Sequence, residues 1–365
     1  MSSGAREAIA AVLTPDEQGR VYCGEGPITS RFEQEFAITS GTPHPVLGVN
    51  SCTSAIDLAL HMIGVGVGDE VVVTPMTCSA SNGSVVNRGA SLVWADVDPI
   101  TGLINPESVE RLISPWTKAV IAVDWAGRTC DYVSLRNAIS YKKKNIPIIE
   151  DAAHKLYLDE QYGDYVAWSF GPIKHLSCGG YGGALMTPPS QQDRGRLLKW
   201  HGLDRLSKSD FRCSQDIEEV GYRYHMTDDM ASVGLANMEL AKESVRQARS
   251  NAAYYVRELS AIDGIVIPPF SLQCDYWLFG LLVDERDAFA ERMAERGIPT
   301  SRAHKRNDEH SGYKRATVHQ DGNLIGTTYF DNHQINIPVG WWITNPEREY
   351  IVQSVKECVK SSILV

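Results

Sequence analysis

The sequence predicts an α/β protein built on a mostly parallel sheet, and three observations carry that prediction. From about Val46 to Met186, short β-branched runs alternate with segments of helical character, the pattern of strands joined by helical crossovers. The chain has 365 residues and is 43% hydrophobic, enough for a large core and for two domains, or one large domain with an appendage. A proline-free stretch of helix-forming composition, Thr227 to Leu259, then leads toward the C-terminal third. This places a large domain with an N-terminal arm over residues 1–235 and a smaller C-terminal domain over 236–365.

The strands expected in the large domain are Val71 to Thr74, Ser91 to Ala95, Ala119 to Val123, Pro147 to Ile149, Tyr165 to Ser169 and Gly183 to Met186. Between them, Thr53 to Ile63 sets Ile56, Ala59, Leu60 and Ile63 on one helical face with Gly64 as a stop, so it reads as a helix opened by Thr53 and Ser54. Leu206 to Asp216 and Lys305 to Gly322 are long, polar and poor in large apolar residues, and so are expected as loops.

Composition narrows the function. Lys plus Arg number 35 and Asp plus Glu 45, a net charge of −10. No global basic field exists to draw in nucleic acid or an anionic membrane, and any anionic ligand must be met by local groups. The eight cysteines are scattered, without a C-x-x-C pair or a Cys/His cluster at zinc spacing, so no metal site is expected and reduced thiols in a cytoplasm are. The N-terminal segment does not resemble a signal peptide and no apolar run is long enough to span a bilayer.

The stretch Ile148 to Thr187 is the most informative. An apolar strand delivers Glu150 and Asp151 at its C-terminal end, and a second delivers Ser169, Phe170 and then Lys174, followed by the glycine-rich turn Gly179 to Gly183. Ligands of open α/β sheets sit at such strand ends. Pyridoxal phosphate (PLP) chemistry needs these groups: a buried carboxylate to keep the pyridine nitrogen protonated, a lysine amine with an accessible neutral form to hold the cofactor as an imine and move protons, and N–H groups and hydroxyls at a helix start for the phosphate. Asp151, Lys174 and the Thr53/Ser54 helix start fill the three roles.

These residues fall within motifs that resemble the DegT/DnrJ/EryC/StrS family of sugar aminotransferases from about Gly24 to Tyr350. The motifs are SCTSAIDLAL (51 to 60), GDEVVVTPMT (68 to 77), ADVDPITG (95 to 102), IEDAAH (149 to 154), SFGPIKH (169 to 175), GYRYHMTDDMASVGLAN (221 to 237) and HKRND (304 to 308). The resemblance implies a PLP fold-type I, aspartate aminotransferase-like architecture with a smaller C-terminal α+β domain. It also implies Lys174 as the imine lysine, Asp151 as the partner of the pyridine nitrogen, and Thr53, Ser54 and Ser169 at the phosphate. His154 falls where a Gln or His lies against the cofactor ring, and Cys78 follows Thr77 where an aromatic residue often stacks on it. Arg223 stands where an Asn usually reaches the phosphate across a homodimer interface. The implied reaction takes an amino group from glutamate or glutamine to a keto sugar, expected to be nucleotide-linked.

Departures from the family pattern are Cys52 for a glycine, Asp124 for a histidine and Tyr181 for an acidic residue. Two readings compete with transamination: a PLP-dependent sugar dehydratase, in which a histidine replaces the imine lysine, and a non-catalytic sugar-binding or regulatory dimer. Lys174 followed by His175, and Asp151, favour transamination. GVGVGD (64 to 69) follows a helix and precedes a strand, the reverse of a dinucleotide fingerprint, and GGYGG lacks the Lys-Ser/Thr of a P-loop. The basic stretch Arg302 to Arg306 reads either as a solvated face or as a contact for an anionic sugar nucleotide.

Overall fold

A computed structural model describes residues 2–359 except 20, 22, 143–144, 206 and 208–213; much of the expected 206–216 loop therefore lies outside the described residues. The strands in chain order are β1 (Val46–Val49), β2 (Glu70–Val73), β3 (Ser91–Trp94), β4 (Thr117–Val123), β5 (Ile148–Asp151), β6 (Tyr165–Ser169), β7 (Gly183–Met186), β8 (Ile265–Val266), β9 (Phe279–Val283), β10 (Thr317–Gln320) and β11 (Gln334–Ile337). Eight form one sheet in the order β1-β7-β6-β5-β4-β2-β3-β10, in which only the pairs involving β7 are antiparallel. The other three form a small antiparallel sheet, β11-β9-β8. The large sheet is mostly parallel, as the fold-type I resemblance implies, and helices and a small sheet follow toward the C-terminus.

The central strands are apolar runs because both faces are covered. Val71, Val73, Leu92, Trp94, Ile121 and Ile149 pack on one face with the helix Cys52–Ile63, while Val72, Val93, Val120, Ala122 and Ile148 pack on the other with the helix Tyr132–Tyr141. Successive side chains alternate between those faces, so β5 sends Glu150 and Asp151 in opposite directions at its end. The 32-residue helix Asp228–Leu259 joins two cores. Its Ala231, Met238, Ala241 and Val245 pack with Phe32, Phe36 and Trp168, whereas Ala248, Ala252, Tyr255 and Leu259 pack with the small sheet.

Two expectations need correction. The helix near residue 53 starts at Cys52, and its cap is Ser51, whose hydroxyl accepts from the Ser54 N–H at 3.1 Å; Ser54 spends its own hydroxyl on Asn50 Oδ1 at 2.6 Å. The expected loop 305–322 contains the helix Ser311–Lys314 and β10, which pairs parallel to β3. As an edge strand with three exposed residues of four, β10 has no apolar alternation to announce it.

Gly234, inside the long helix, lets Phe32 and Cys178 close against its backbone. A Cβ there would lie 2.5 Å from Phe32 Cε2 and 2.7 Å from Cys178 Sγ. Gly234→Val should therefore overpack this core and cost about 1–3 kcal/mol, read as a lower midpoint in equilibrium urea unfolding.

Candidate active site

The C-terminal ends of the parallel strands converge with the start of the Cys52–Ile63 helix. Gly183 makes the approach possible, since a Cβ there would sit 2.6 Å from Ser51 C, 2.7 Å from Cys52 N and 2.7 Å from Trp168 O. The glycine-rich turn is thus a packing requirement of the helix start: Gly182 bridges Ser51 and donates its N–H to Asn50 O at 2.9 Å. Ser169, half-buried, pairs with Gly183 across β6 and β7.

Asp151 is buried at 3% exposure. One oxygen accepts from Ser81 Oγ at 2.6 Å, and the other accepts from the Ala153 N–H at 3.1 Å and faces Cys52 Sγ at 3.7 Å. Burial raises its pKa above the usual carboxylate value, and the Ser81 and Ala153 hydrogen bonds and the charge of Lys174 oppose that rise. Lys174 follows β6 in a turn closed by its N–H to Gly171 O at 3.1 Å. Burial pulls the amine down to about 8 against the opposing pull of Asp151, Cys52 and Cys78. Its Nζ lies 3.6 Å from the centroid of the Trp277 ring.

His154 is buried, and its Nδ1 accepts from the Ala126 N–H at 3.2 Å, which leaves any proton on Nε2. Burial and the charge of Lys174 hold its pKa well below the usual imidazole range. Its ring stacks on Trp277 at 4.0 Å and 21°. His175 is pushed down to about 4, first by burial and then by Lys174. His304 is lowered by the same two causes and lies parallel to His154 at 6.3 Å.

The structure brings Asp151, Lys174, His154 and Cys78 into one electrostatic neighbourhood. Cys78 is exposed at the start of the helix Ser79–Asn87, and its carbonyl accepts from Asn307 Nδ2 at 3.4 Å. Thr53, exposed, and Ser54, buried, line a polar pocket of about 290 Å³ with Asp57, Arg88, Tyr222 and Tyr224. Arg223 is exposed beside this pocket, where its carbonyl accepts from Asn50 Nδ2 at 3.2 Å.

Two departures lie away from the amine. Tyr181 is 70% exposed. Asp124 is fully buried, accepts from the Cys130 N–H and the Tyr132 hydroxyl at 2.9 and 3.0 Å, and pairs with Lys155 at 3.2 Å. Its position follows the alternation of β4: Ala122 packs on the face opposite the Cys52–Ile63 helix, and Asp124 is two residues on.

The basic stretch Arg302 to Arg306 carries its own counter-charges. Arg302 pairs with Asp331 at 2.7 Å, Lys305 with Glu309 at 3.3 Å and Arg306 with Asp308 at 2.7 Å. Two site residues escaped the sequence reading. Ser81 holds Asp151 from 70 positions away, with the Thr77–Ser81 hydroxyl pair, at helical spacing and 3.0 Å, as its only local signal. Trp277 lies in the DYWLFG run before β9 and had no signal.

With this geometry in place, similarity to known proteins is informative. The sequence model of the DegT/DnrJ/EryC1/StrS aminotransferase family matches residues 4–356. A dTDP-4-dehydro-2,3,6-trideoxy-D-glucose 4-aminotransferase of Saccharopolyspora spinosa is 32% identical over 316 residues, covering 81% of this chain and 80% of that protein. Among solved structures, AtS13 from Actinomadura melliaura is 33% identical with a TM-score of 0.89, covering 98% of this chain and 96% of that one. The sugar aminotransferase CalS13 from Micromonospora echinospora is 31% identical with a TM-score of 0.88, covering 98% and 97%. The chain is therefore a pyridoxal-phosphate aminotransferase that belongs to the DegT/DnrJ/EryC1/StrS family.

Proposed function

We propose that the enzyme transfers an amino group from glutamate or glutamine to a nucleotide-linked keto sugar, as a cytoplasmic homodimer whose active sites are shared between subunits. The observation that carries this reading is the pair formed by a buried carboxylate, Asp151, and an amine, Lys174, whose pKa burial brings down to about 8. The printed activity of the Saccharopolyspora relative supports a nucleotide-linked sugar. Arg223, exposed beside the helix-start pocket, suits a role at a subunit interface. Among the described residues no helix is long and apolar enough to cross a membrane.

The donor set fits the cofactor. Asp151 is desolvated yet held by hydrogen bonds from Ser81, Ala153 and Cys52, the arrangement that would keep a proton on a pyridine nitrogen. Lys174 faces the Trp277 ring, and burial brings its amine down to about 8, where a neutral form able to attack a carbonyl is accessible. The N–H groups of Cys52 and Thr53 and the Ser169 hydroxyl would hold a phosphate, the Ser54 N–H being taken by the Ser51 cap. His154 is held neutral beside the amine, with one face of its ring stacked on Trp277. When bound, pyridoxal phosphate supplies an exchangeable carbonyl and an electron sink. The protein's own groups would do the rest: Asp151 would hold the charge on the ring nitrogen, and Lys174 Nζ, once freed, would take the proton from the donor's α-carbon and carry it as the base and acid of the exchange. The same groups run the sequence backwards for the keto sugar, which gives ping-pong kinetics.

Borohydride reduction of cofactor-loaded enzyme should leave the cofactor's mass on Lys174 alone, read by peptide mass spectrometry; label elsewhere would refute the assignment. Because only the neutral amine attacks a carbonyl, the rate of forming the reducible adduct should rise with pH and level off above about 8. Ser81→Ala removes a charge-assisted hydrogen bond from Asp151 and should weaken cofactor binding about tenfold without moving the attachment site, measured by titration. Glutamate labelled with heavy nitrogen, offered with a panel of keto sugars free and nucleotide-bound, should pass label to a nucleotide-bound member. A panel that stays unlabelled while the enzyme consumes glutamate would overturn the sugar assignment.

A further inference from the structure

Trp277 sits in the segment that enters β9, outside every family motif quoted above and in none of the apolar cores. Three contacts hold its indole. The ring stacks on His154 at 4.0 Å, Nε1–H donates to Ile173 O at 2.8 Å, and Lys174 Nζ stands 3.6 Å from the ring centroid. Ile173 immediately precedes Lys174, so the indole is tied to the backbone of the residue whose amine it faces. A half-exposed tryptophan with no part in a core, fastened at its polar end and stacked on one face, is held for orientation.

We propose that Trp277 is a positioning residue for Lys174, its π face holding the ε-amine at the site and governing how readily that amine gives up its proton. The electrostatics support the direction. An aromatic face attracts an ammonium and favours the charged form, most strongly where water is excluded. The amine lies among Asp151 on β5, Cys52 at the start of its helix and Cys78 ahead of the next, all three favouring the charged form, and burial works against them. The facing imidazoles, His154, His175 and His304, are each driven toward the neutral form by burial and by Lys174, so none competes as a neighbouring cation at neutral pH.

Trp277 and Ile173 also border an apolar cleft of about 630 Å³ with Pro338, Trp342 and Tyr350. Replacing the indole by an aliphatic side chain therefore removes the π face while leaving apolar surroundings.

The inference rests on Lys174 being the cofactor-bearing amine, which borohydride labelling checks separately. Its own test needs neither cofactor nor sugar. Competitive acetylation of the cofactor-free full-length chain across a pH series, read on the Lys174 peptide by mass spectrometry, follows protonation of the amine. In wild type the midpoint should fall near about 8. Trp277→Leu should lower it by about one pH unit, and Trp277→Phe, which keeps a ring, should lie between. Incorporating tryptophans of increasing fluorination at position 277 preserves shape while draining the ring's electron density, so the midpoint should fall stepwise even if Trp277→Leu does not fold. A midpoint that is unchanged or rises across the fluorinated series would overturn the proposal, as would an unchanged midpoint in a folded Trp277→Leu.

Discussion

A carboxylate removed from water must be answered by hydrogen bonds and opposite charge or it gives up its ionisation, and Asp151 is answered from several elements at once. Ser81 arrives from the helix after β2, the Ala153 N–H from the turn after β5, Cys52 from the helix after β1 and the Lys174 charge from the turn after β6. Parallel strands are what make this convergence possible. β2, β5 and β6 run the same way, so everything that follows their ends gathers on one edge of the sheet.

The same alternation builds a second buried charge cluster behind the first. Glu150 points to the opposite face from Asp151 and accepts from the Gly163 N–H at 3.0 Å. Near it, Lys155 reaches Asp124 at 3.2 Å and Asp159 and Thr129 at 2.8 Å. Burial and the negative charge of Asp124 drive Glu150 toward its neutral form, while the surrounding acids hold Lys155 charged despite burial. Two adjacent acids on one strand thus meet different fates, because each face supplies a different partner. Removing one member of such a cluster leaves an unanswered buried charge, which costs more than the intact cluster contributes.

How much of this the sequence revealed follows from the range of each interaction. The six expected central strands are present because both faces are apolar, and an uninterrupted hydrophobic run needs no knowledge of its neighbours. The helix start was legible to within a residue or two, but the capping role passed from Thr53 and Ser54 to Ser51, since capping depends on backbone geometry as well as residue type. β10 escaped because its pairing, and not its own composition, makes it a strand. Ser81 and Trp277 escaped for a related reason: a serine in a helix and a tryptophan before a strand are ordinary residues until folding sets them against Asp151 and Lys174. The counter-charges of the basic run Arg302 to Arg306 were only partly legible, since Asp308 and Glu309 are close in sequence whereas Asp331 is brought near by folding.

The return of β10 to the far edge of the large sheet means that the chain crosses between its two cores more than once. It leaves along the Asp228–Leu259 helix, builds the small antiparallel layer, comes back to lie beside β3, and departs again to supply β11. Trp277 precedes β9 of the small sheet, whereas the lysine it faces follows β6 of the large one. The indole's hydrogen bond to Ile173 O and its stack on His154 therefore stitch the entry to β9 onto the turn that carries the amine, a seam between the two cores additional to the crossings of the backbone.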